Sequence, residues 1–126
     1  MARCALCDAD GGVVLWRDAQ CRVVRAEVEG YPGFLRVVFA RHVAEMTDLK
    51  PAERDRMMHV VFGVEQVLRE LYQPDKVNLA SFGNQVPHLH WHVIPRFRGD
   101  PHFPEPVWGA VQRKAATRPV VDDARA

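Results

Sequence analysis

With 126 residues, 48% of them hydrophobic and 26% charged, the chain has the length and balance of one soluble globular domain. Its 17 basic and 16 acidic residues leave a net charge of +1, which gives no electrostatic footprint for nucleic acid or an acidic membrane surface. No apolar run approaches the ~18–20 residues of a membrane span, the start Met1-Ala2-Arg3-Cys4 lacks the apolar core of a secretory signal, and three unevenly spaced cysteines make no disulfide framework, so a reducing cytoplasm is expected.

Residues 1–10 carry Cys4-Ala5-Leu6-Cys7 ahead of Asp10-Gly11-Gly12, a short tight segment before the first strand. Residues 13–17 and 21–27 read as two strands split by the polar turn Asp18-Ala19-Gln20. Turn formers crowd Glu29-Gly30-Tyr31-Pro32-Gly33, and residues 34–40, rich in β-branched and aromatic side chains, follow as a third strand. Residues 41–50 lead to the strongest helix signal. Pro51 suits a first helical position and Glu53 the positive amino end. Met57, Val60, Val61, Val64, Leu68 and Leu71 recur at helical spacing as one apolar stripe, until Gln73-Pro74-Asp75 stops the helix. Residues 76–82 give a further strand, and Gly83-Asn84-Gln85-Val86-Pro87 a loop.

The last strand, residues 88–94, is the most informative segment. Three of the six histidines, His88, His90 and His92, occupy alternate positions in His88-Leu89-His90-Trp91-His92-Val93-Ile94. That period sets the imidazoles on one face and Leu89, Trp91 and Val93 on the other, against the core. Neighbouring rings then stand ~7 Å apart, in a row. Beyond Pro95 and Gly99 the chain becomes proline-rich (Pro101, Pro104, Pro106) and then allows a short helix over 108–116. Residues 122–126 are expected to fray. The expected architecture is α+β: an antiparallel sheet of about five strands, one long helix and a short carboxyl-terminal helix, in a single domain over 1–116 with a tail at 117–126.

Three imidazoles in register suit several chemistries. A neutral imidazole is a competent nucleophile near neutral pH and can hold an electrophilic phosphorus covalently until water displaces it. The same row can ligate zinc, copper or iron, or be a solvated surface row. The loop ahead of it favours phosphate chemistry, because Gly83-Asn84-Gln85 supplies a flexible backbone and two amide side chains able to donate to phosphate oxygens. Cys4-x-x-Cys7 alone fits zinc, redox chemistry or chance. Cys21 reads as a buried small hydrophobe. His59 lies beside the helix stripe, His102 sits in a proline-rich loop, and Arg96 can reach either phosphate or a partner carboxylate. Trp108 suits packing or covering a neighbouring subunit's site.

The run from Asn78 through His88-Leu89-His90-Trp91-His92-Val93-Ile94 to Arg96 resembles the signature of the histidine-triad (HIT) family, His-φ-His-φ-His-φ-φ with φ apolar, and meets it at every position. Pro32-Gly33-Phe34-Leu35-Arg36-Val37-Val38 and His42-Val43-Ala44-Glu45-Met46-Thr47-Asp48-Leu49 resemble the family's lead-in, so the likeness spans residues 4–96. The resemblance implies a nucleotide hydrolase or transferase acting on nucleoside phosphoramidates, dinucleoside polyphosphates or related anhydrides, without an organic cofactor, and a homodimer with joined sheets. His90 would be the nucleophile that forms a nucleotidyl-histidine intermediate, and His92 would contact the scissile phosphate and leaving group. Asn78, offset by about one residue from the usual spacing, Asn84 and Gln85 would contact phosphate. Relatives that bind zinc imply the ligand set Cys4, Cys7, His42 and His88, a closed structural site. Two departures bear on the substrate: Gly83-Asn84-Gln85 replaces the common Gly-Gln-Ser/Thr, and Ala26 followed by Glu27 stands where many members carry a ribose-binding acid or Asn. Two other readings are a nucleotide-binding scaffold with little turnover and an enzyme with its metal on the triad itself.

Overall fold

A computed structural model describes residues 4–114. Five strands form one antiparallel sheet in the order β1-β2-β3-β5-β4: β1 Val13–Arg17, β2 Cys21–Arg25, β3 Leu35–Phe39, β4 Lys76–Ala80 and β5 His90–Arg96. Alternation along these strands divides the side chains between two faces. Cys21, Val23, Leu35, Val37, Phe39, Val77 and Val93, with Leu89 just ahead of β5, form one apolar face, and Trp91 packs against it. The long helix α2, Pro51–Tyr72, closes that face with Met57, Val60, Val61 and Leu68. Full burial of such side chains stabilises the fold by about 1.5–3 kcal/mol each.

The helix begins and ends where its residues dictate. Pro51 follows the N-cap Lys50, whose backbone N–H donates to the Glu53 carboxylate at 2.9 Å. Gln73 ends it in the left-handed conformation, with its N–H bonded to the Arg69 carbonyl at 3.1 Å, and Pro74 cannot extend the turn.

The opposite face takes lighter cover. A one-turn helix α1, Ala5–Asp8, brings Leu6 onto Val24 and Val38, while Ala26, Tyr31, Phe34 and Ile94 form a second small cluster with Val28 and Val107 around them. The short helix thus lies at the amino end. Residues 108–114 form turns: Gly109 bonds to Pro106, and the Gln112 and Arg113 N–H groups both reach the Pro101 carbonyl rather than helical partners. The rest of the expected 108–116 helix, and the tail, lie outside the described residues.

Strand ends also differ from expectation: β3 spans Leu35–Phe39 within the expected 34–40, and β4 stops at Ala80 rather than 82. β2 stops at Arg25 because the chain turns through 26–34, where Ala26 N–H meets the Phe34 carbonyl at 2.9 Å. β5 starts at His90 rather than 88 and runs through Pro95 to Arg96. Pro95 pairs with Val77 of β4 but lies past Val93, the end of pairing with β3, so one side of the strand asks no donor of it there.

The end of β5 is fixed by a buried ion pair. The Arg96 guanidinium donates to Asp100 at 2.7 and 3.0 Å, to Asn78 Oδ1 at 2.7 Å and to the Glu105 carbonyl at 2.7 Å. Asp100 also accepts the N–H groups of Phe97, His102 and Phe103 and the Tyr31 hydroxyl, which contacts the His102 ring nitrogen as well. Burial alone would raise the Asp100 carboxyl, but Arg96 and the backbone donors outweigh it and hold the group well below the usual carboxylate range. Both side chains are 2% exposed, so neither charge has water to fall back on. Asp100→Ala is therefore expected to lower unfolding stability by about 3–5 kcal/mol in urea titration, whereas an exposed pair such as Arg17–Asp10, removed the same way, changes it by less than about 1 kcal/mol.

Candidate active site and metal-binding cluster

A cavity of about 610 Å³ opens on the less covered sheet face, within the range of small-molecule sites. It is lined by His90 and His92 of β5, by the loop Phe82 to Val86, by Ala5, Leu6, Ala9 and Gly11 of the amino-terminal segment, and by Arg36 and Trp108. Asn84 and Gln85 are exposed, and neither amide side chain is engaged among the described residues. Gly83 holds this loop in a left-handed turn at φ 69°, a conformation glycine adopts without strain. Gly11 is constrained by space as well: at φ 86°, an added Cβ would come within 2.5 Å of Leu6 Cδ2.

Backbone carbonyls set the imidazole tautomers. A carbonyl only accepts, so the 2.6 Å contact between His90 Nδ1 and the His88 carbonyl puts the proton on Nδ1 and leaves Nε2 with its lone pair. At His88 the arrangement is reversed. Its Nε2–H donates to the Phe39 carbonyl at 2.6 Å, and Nδ1 is left unprotonated. That nitrogen lies 3.3 Å from Cys4 Sγ and 3.4 Å from Cys7 Sγ, while Cys7 Sγ is 3.4 Å from His42 Nδ1. One donor atom from each of Cys4, Cys7, His42 and His88 lies within 4.8 Å of every other, a cluster able to hold a metal ion. His88 is fully buried, and burial first, opposed by the Phe39 bond, lowers its basicity.

The three histidines therefore divide. His88 precedes the strand and turns to the thiols, its N–H bonded to the Val86 carbonyl, while His90 and His92 face the cavity with ring centroids 5.0 Å apart. His92 is 7% exposed, and its Nδ1 has no partner among the described residues. Aromatic edges surround it: Trp108 at 5.0 Å, Phe34 at 5.7 Å and Phe82 at 6.4 Å.

The structure brings His90, His92, Asn84 and Gln85 to one cavity and leaves Asn78 outside it. Asn78 pairs with Ile94 in the sheet and its Oδ1 accepts from Arg96, which fixes the orientation of its amide. Arg96 likewise serves Asp100 rather than the cavity. Glu27 is exposed and pairs with Arg25 at 3.0 Å, whereas Ala26 beside it is buried. Trp108 lines the cavity of its own chain. Arg36 was not recognisable as a site residue, because what places it there is its pairing with His92 across β3 and β5.

The family model described as HIT domain matches residues 10–99. The chain belongs to the HIT family. It is 33% identical over 107 residues to the AP-4-A phosphorylase of Mycobacterium tuberculosis, covering 78% of this chain and 53% of that one. It is 32% identical over 74 residues to the asymmetrical bis(5'-nucleosyl)-tetraphosphatase of Schizosaccharomyces pombe, covering 55% and 41%. The chain thus spans about half the length or less of these curated relatives. Among solved structures, a histidine triad protein from Bradyrhizobium japonicum superposes with TM-score 0.75 at 32% identity, covering 86% of this chain and 81% of that one. Another from Marinobacter aquaeolei gives 0.74 at 29%, covering 86% and 79%. No helix among the described residues of this HIT protein is long and apolar enough to cross a membrane.

The environment of His92 has a consequence for pH. Burial first, then the neighbouring His90 and Arg36, pushes its imidazole down to about 4. An unfolded histidine titrates near ~6.5. Between these values the unfolded chain binds a proton that the folded chain refuses, so this contribution is intact above about pH 6.5 and is lost as pH falls toward about 4. Urea titrations across that window should show a loss of up to about 3 kcal/mol, and His92→Asn should flatten the slope. An unchanged slope in the variant would remove His92 as its source.

Proposed function

We propose that this HIT protein is a nucleotide-phosphate hydrolase or nucleotidyl transferase whose covalent intermediate forms on His90. The observation that carries this reading is the His90 Nδ1 bond to the His88 carbonyl, which in the neutral ring puts the lone pair on Nε2, in a cavity. In the proposed reaction His90 Nε2 attacks the phosphorus that bears the nucleoside. An N–P bond forms as the bond to the leaving group breaks, and the leaving group departs with that electron pair. The Nδ1 proton remains on the ring, so the nucleotidyl-imidazole is cationic, and the His88 carbonyl offsets its charge. Water then replaces nitrogen at phosphorus and restores the neutral ring; a phosphate acceptor in place of water gives the transferase outcome. His92 contacts the scissile phosphate and the leaving group, and the Asn84 and Gln85 amides donate to phosphate oxygens. The curated relatives named for dinucleoside tetraphosphate chemistry support this substrate class.

Cys4, Cys7, His42 and His88 would hold a structural zinc. Tetrahedral zinc sets its S and N ligand atoms ~3.3–3.8 Å apart, and the observed sulfur–nitrogen contacts of 3.3 and 3.4 Å fit that spacing. Four protein ligands leave no open position, so zinc would anchor α1 and His88 rather than act on substrate. Two further parts of the proposal are a homodimer with joined sheets, which fits the sheet edges left by β1 and β4, and a cytoplasmic setting, which fits three free cysteines.

Rapid acid quench with adenosine 5'-phosphoramidate or diadenosine tetraphosphate, followed by intact mass measurement, should trap one nucleotidyl group on the wild type and none on His90→Gln, with turnover lowered about 10⁴-fold or more. An unlabelled wild type, or label persisting without His90, refutes the intermediate. Zinc content should fall in Cys4→Ser and remain in His90→Gln; the opposite pattern would place the metal on the triad.

A further inference from the structure

Arg36 is the only lysine or arginine among the residues lining the cavity, and no carboxylate lines it. One terminal nitrogen donates to the Gly11 carbonyl at 3.1 Å, and the guanidinium carbon lies 5.9 Å from the Phe34 ring centre. Among the described residues it makes no ion pair, and its Nε is buried with no acceptor. The contrast is Arg96, whose burial is matched by Asp100 and whose nitrogens reach carboxylate, amide and carbonyl oxygens. Burial lowers Arg36 from its ordinary value, with no acid acting in the other direction. A half-buried guanidinium whose Nε is sealed from water and which has no counter-anion costs free energy that an anionic ligand offsets.

The strand register locates that anion. Arg36 pairs with His92, and Val38 pairs with His90. On its other side Arg36 is paired with Val24, which has no polar atom to give it. Arg36 therefore stands on the same sheet face as both histidines, across from His92 and on the diagonal from His90, ~7–8 Å away along the backbone, beside the histidine that contacts the leaving group in the proposed reaction. We infer that Arg36 binds the phosphate next to the one His90 attacks, so that the site favours substrates with a phosphate chain over those with a single phosphorus. The planar fork of a guanidinium matches two non-bridging phosphate oxygens, with Nε and a free terminal nitrogen as donors. This rests on nucleotidyl transfer at His90, and the adjacent phosphate is the first of the leaving group.

Calorimetric titration of the full chain with ADP and AMP tests the assignment by binding rather than by labelling. The wild type should bind ADP more tightly than AMP; Arg36→Gln should weaken ADP binding about ten- to a hundredfold and leave AMP unchanged. Arg36→Lys, which keeps the charge but not the fork, should recover part of the ADP affinity and serves in place of Arg36→Gln if that variant does not fold. In parallel, labelling from diadenosine tetraphosphate should slow in Arg36→Gln by a clearly larger factor than labelling from adenosine 5'-phosphoramidate. No preference for ADP in the wild type, no loss in the variant, or equal losses for both ligands overturns the inference. Failure of the wild type to take any label would refute transfer at His90, and the ADP and AMP affinities would still judge Arg36.

Discussion

Two backbone carbonyls govern the chemistry of the strand that bears the triad. The Phe39 oxygen takes the Nε2 proton of His88, and the His88 oxygen takes the Nδ1 proton of His90. A carbonyl cannot donate, so each bond excludes one tautomer. The result is two adjacent imidazoles with lone pairs aimed at opposite targets, one at the thiols of Cys4 and Cys7 and one at the cavity. Everything that fixes these carbonyls therefore acts on the site: the β3–β5 pairing, the Leu89 N–H bond to Val43 and the Phe39 N–H bond to Leu89. The cluster at Cys4, Cys7, His42 and His88 belongs to the same system, since His88 joins it to the strand.

The asymmetry of the sheet explains why the cavity lies on the face opposite α2. α2 seals one face with a continuous apolar layer, and a void there would forfeit packing across its length. The other face is covered by two short pieces, α1 and the segment around Val107 and Trp108, which do not meet over β5. Each piece is fastened separately. Arg22 holds the amino-terminal segment through the carbonyls of Leu6, Ala9 and Asp10, and the Arg96–Asp100 pair holds the carboxyl-terminal segment. The gap between the two fastenings is the site.

What the sequence disclosed, and what it withheld, follows from the range of the forces involved. The alternation of His88 to Val93 and the stripe of Met57 to Leu68 are local periods, and β5 and α2 carry them nearly as read. The loop at Gly83 to Gln85 was visible for the same reason. Nothing local to Asn78 announces its bond to Arg96, 18 positions away. Arg36 went unread for the same reason: nothing near it in the chain marks it, and only the register of β3 against β5 sets it beside His92. The absence of helix at 108–114 has a similar origin, since the Pro101 carbonyl draws in two N–H groups that a helix would use internally. Local periods survive folding, whereas assignments that depend on a cross-strand or cross-loop partner do not announce themselves.

The polar atoms left unsatisfied beneath the cavity complete the picture. His92 Nδ1 and Arg36 Nε are both buried without a partner, on neighbouring strands and opposite one another. Each carries a desolvation penalty of about 1–3 kcal/mol that a purely structural sheet would avoid with Val or Ile at the same positions. The penalty has the sign expected of a binding site: it is relieved when acceptors and water-like oxygens arrive with a ligand, and so it becomes part of the affinity. The same burial that keeps His92 neutral also reduces the water around Arg36, so a phosphate entering the cavity meets a less screened charge. Stability given up at this pair is supplied elsewhere, by the α2 layer and the Arg96–Asp100 knot, which leave the sheet rigid enough to hold both strained environments in place.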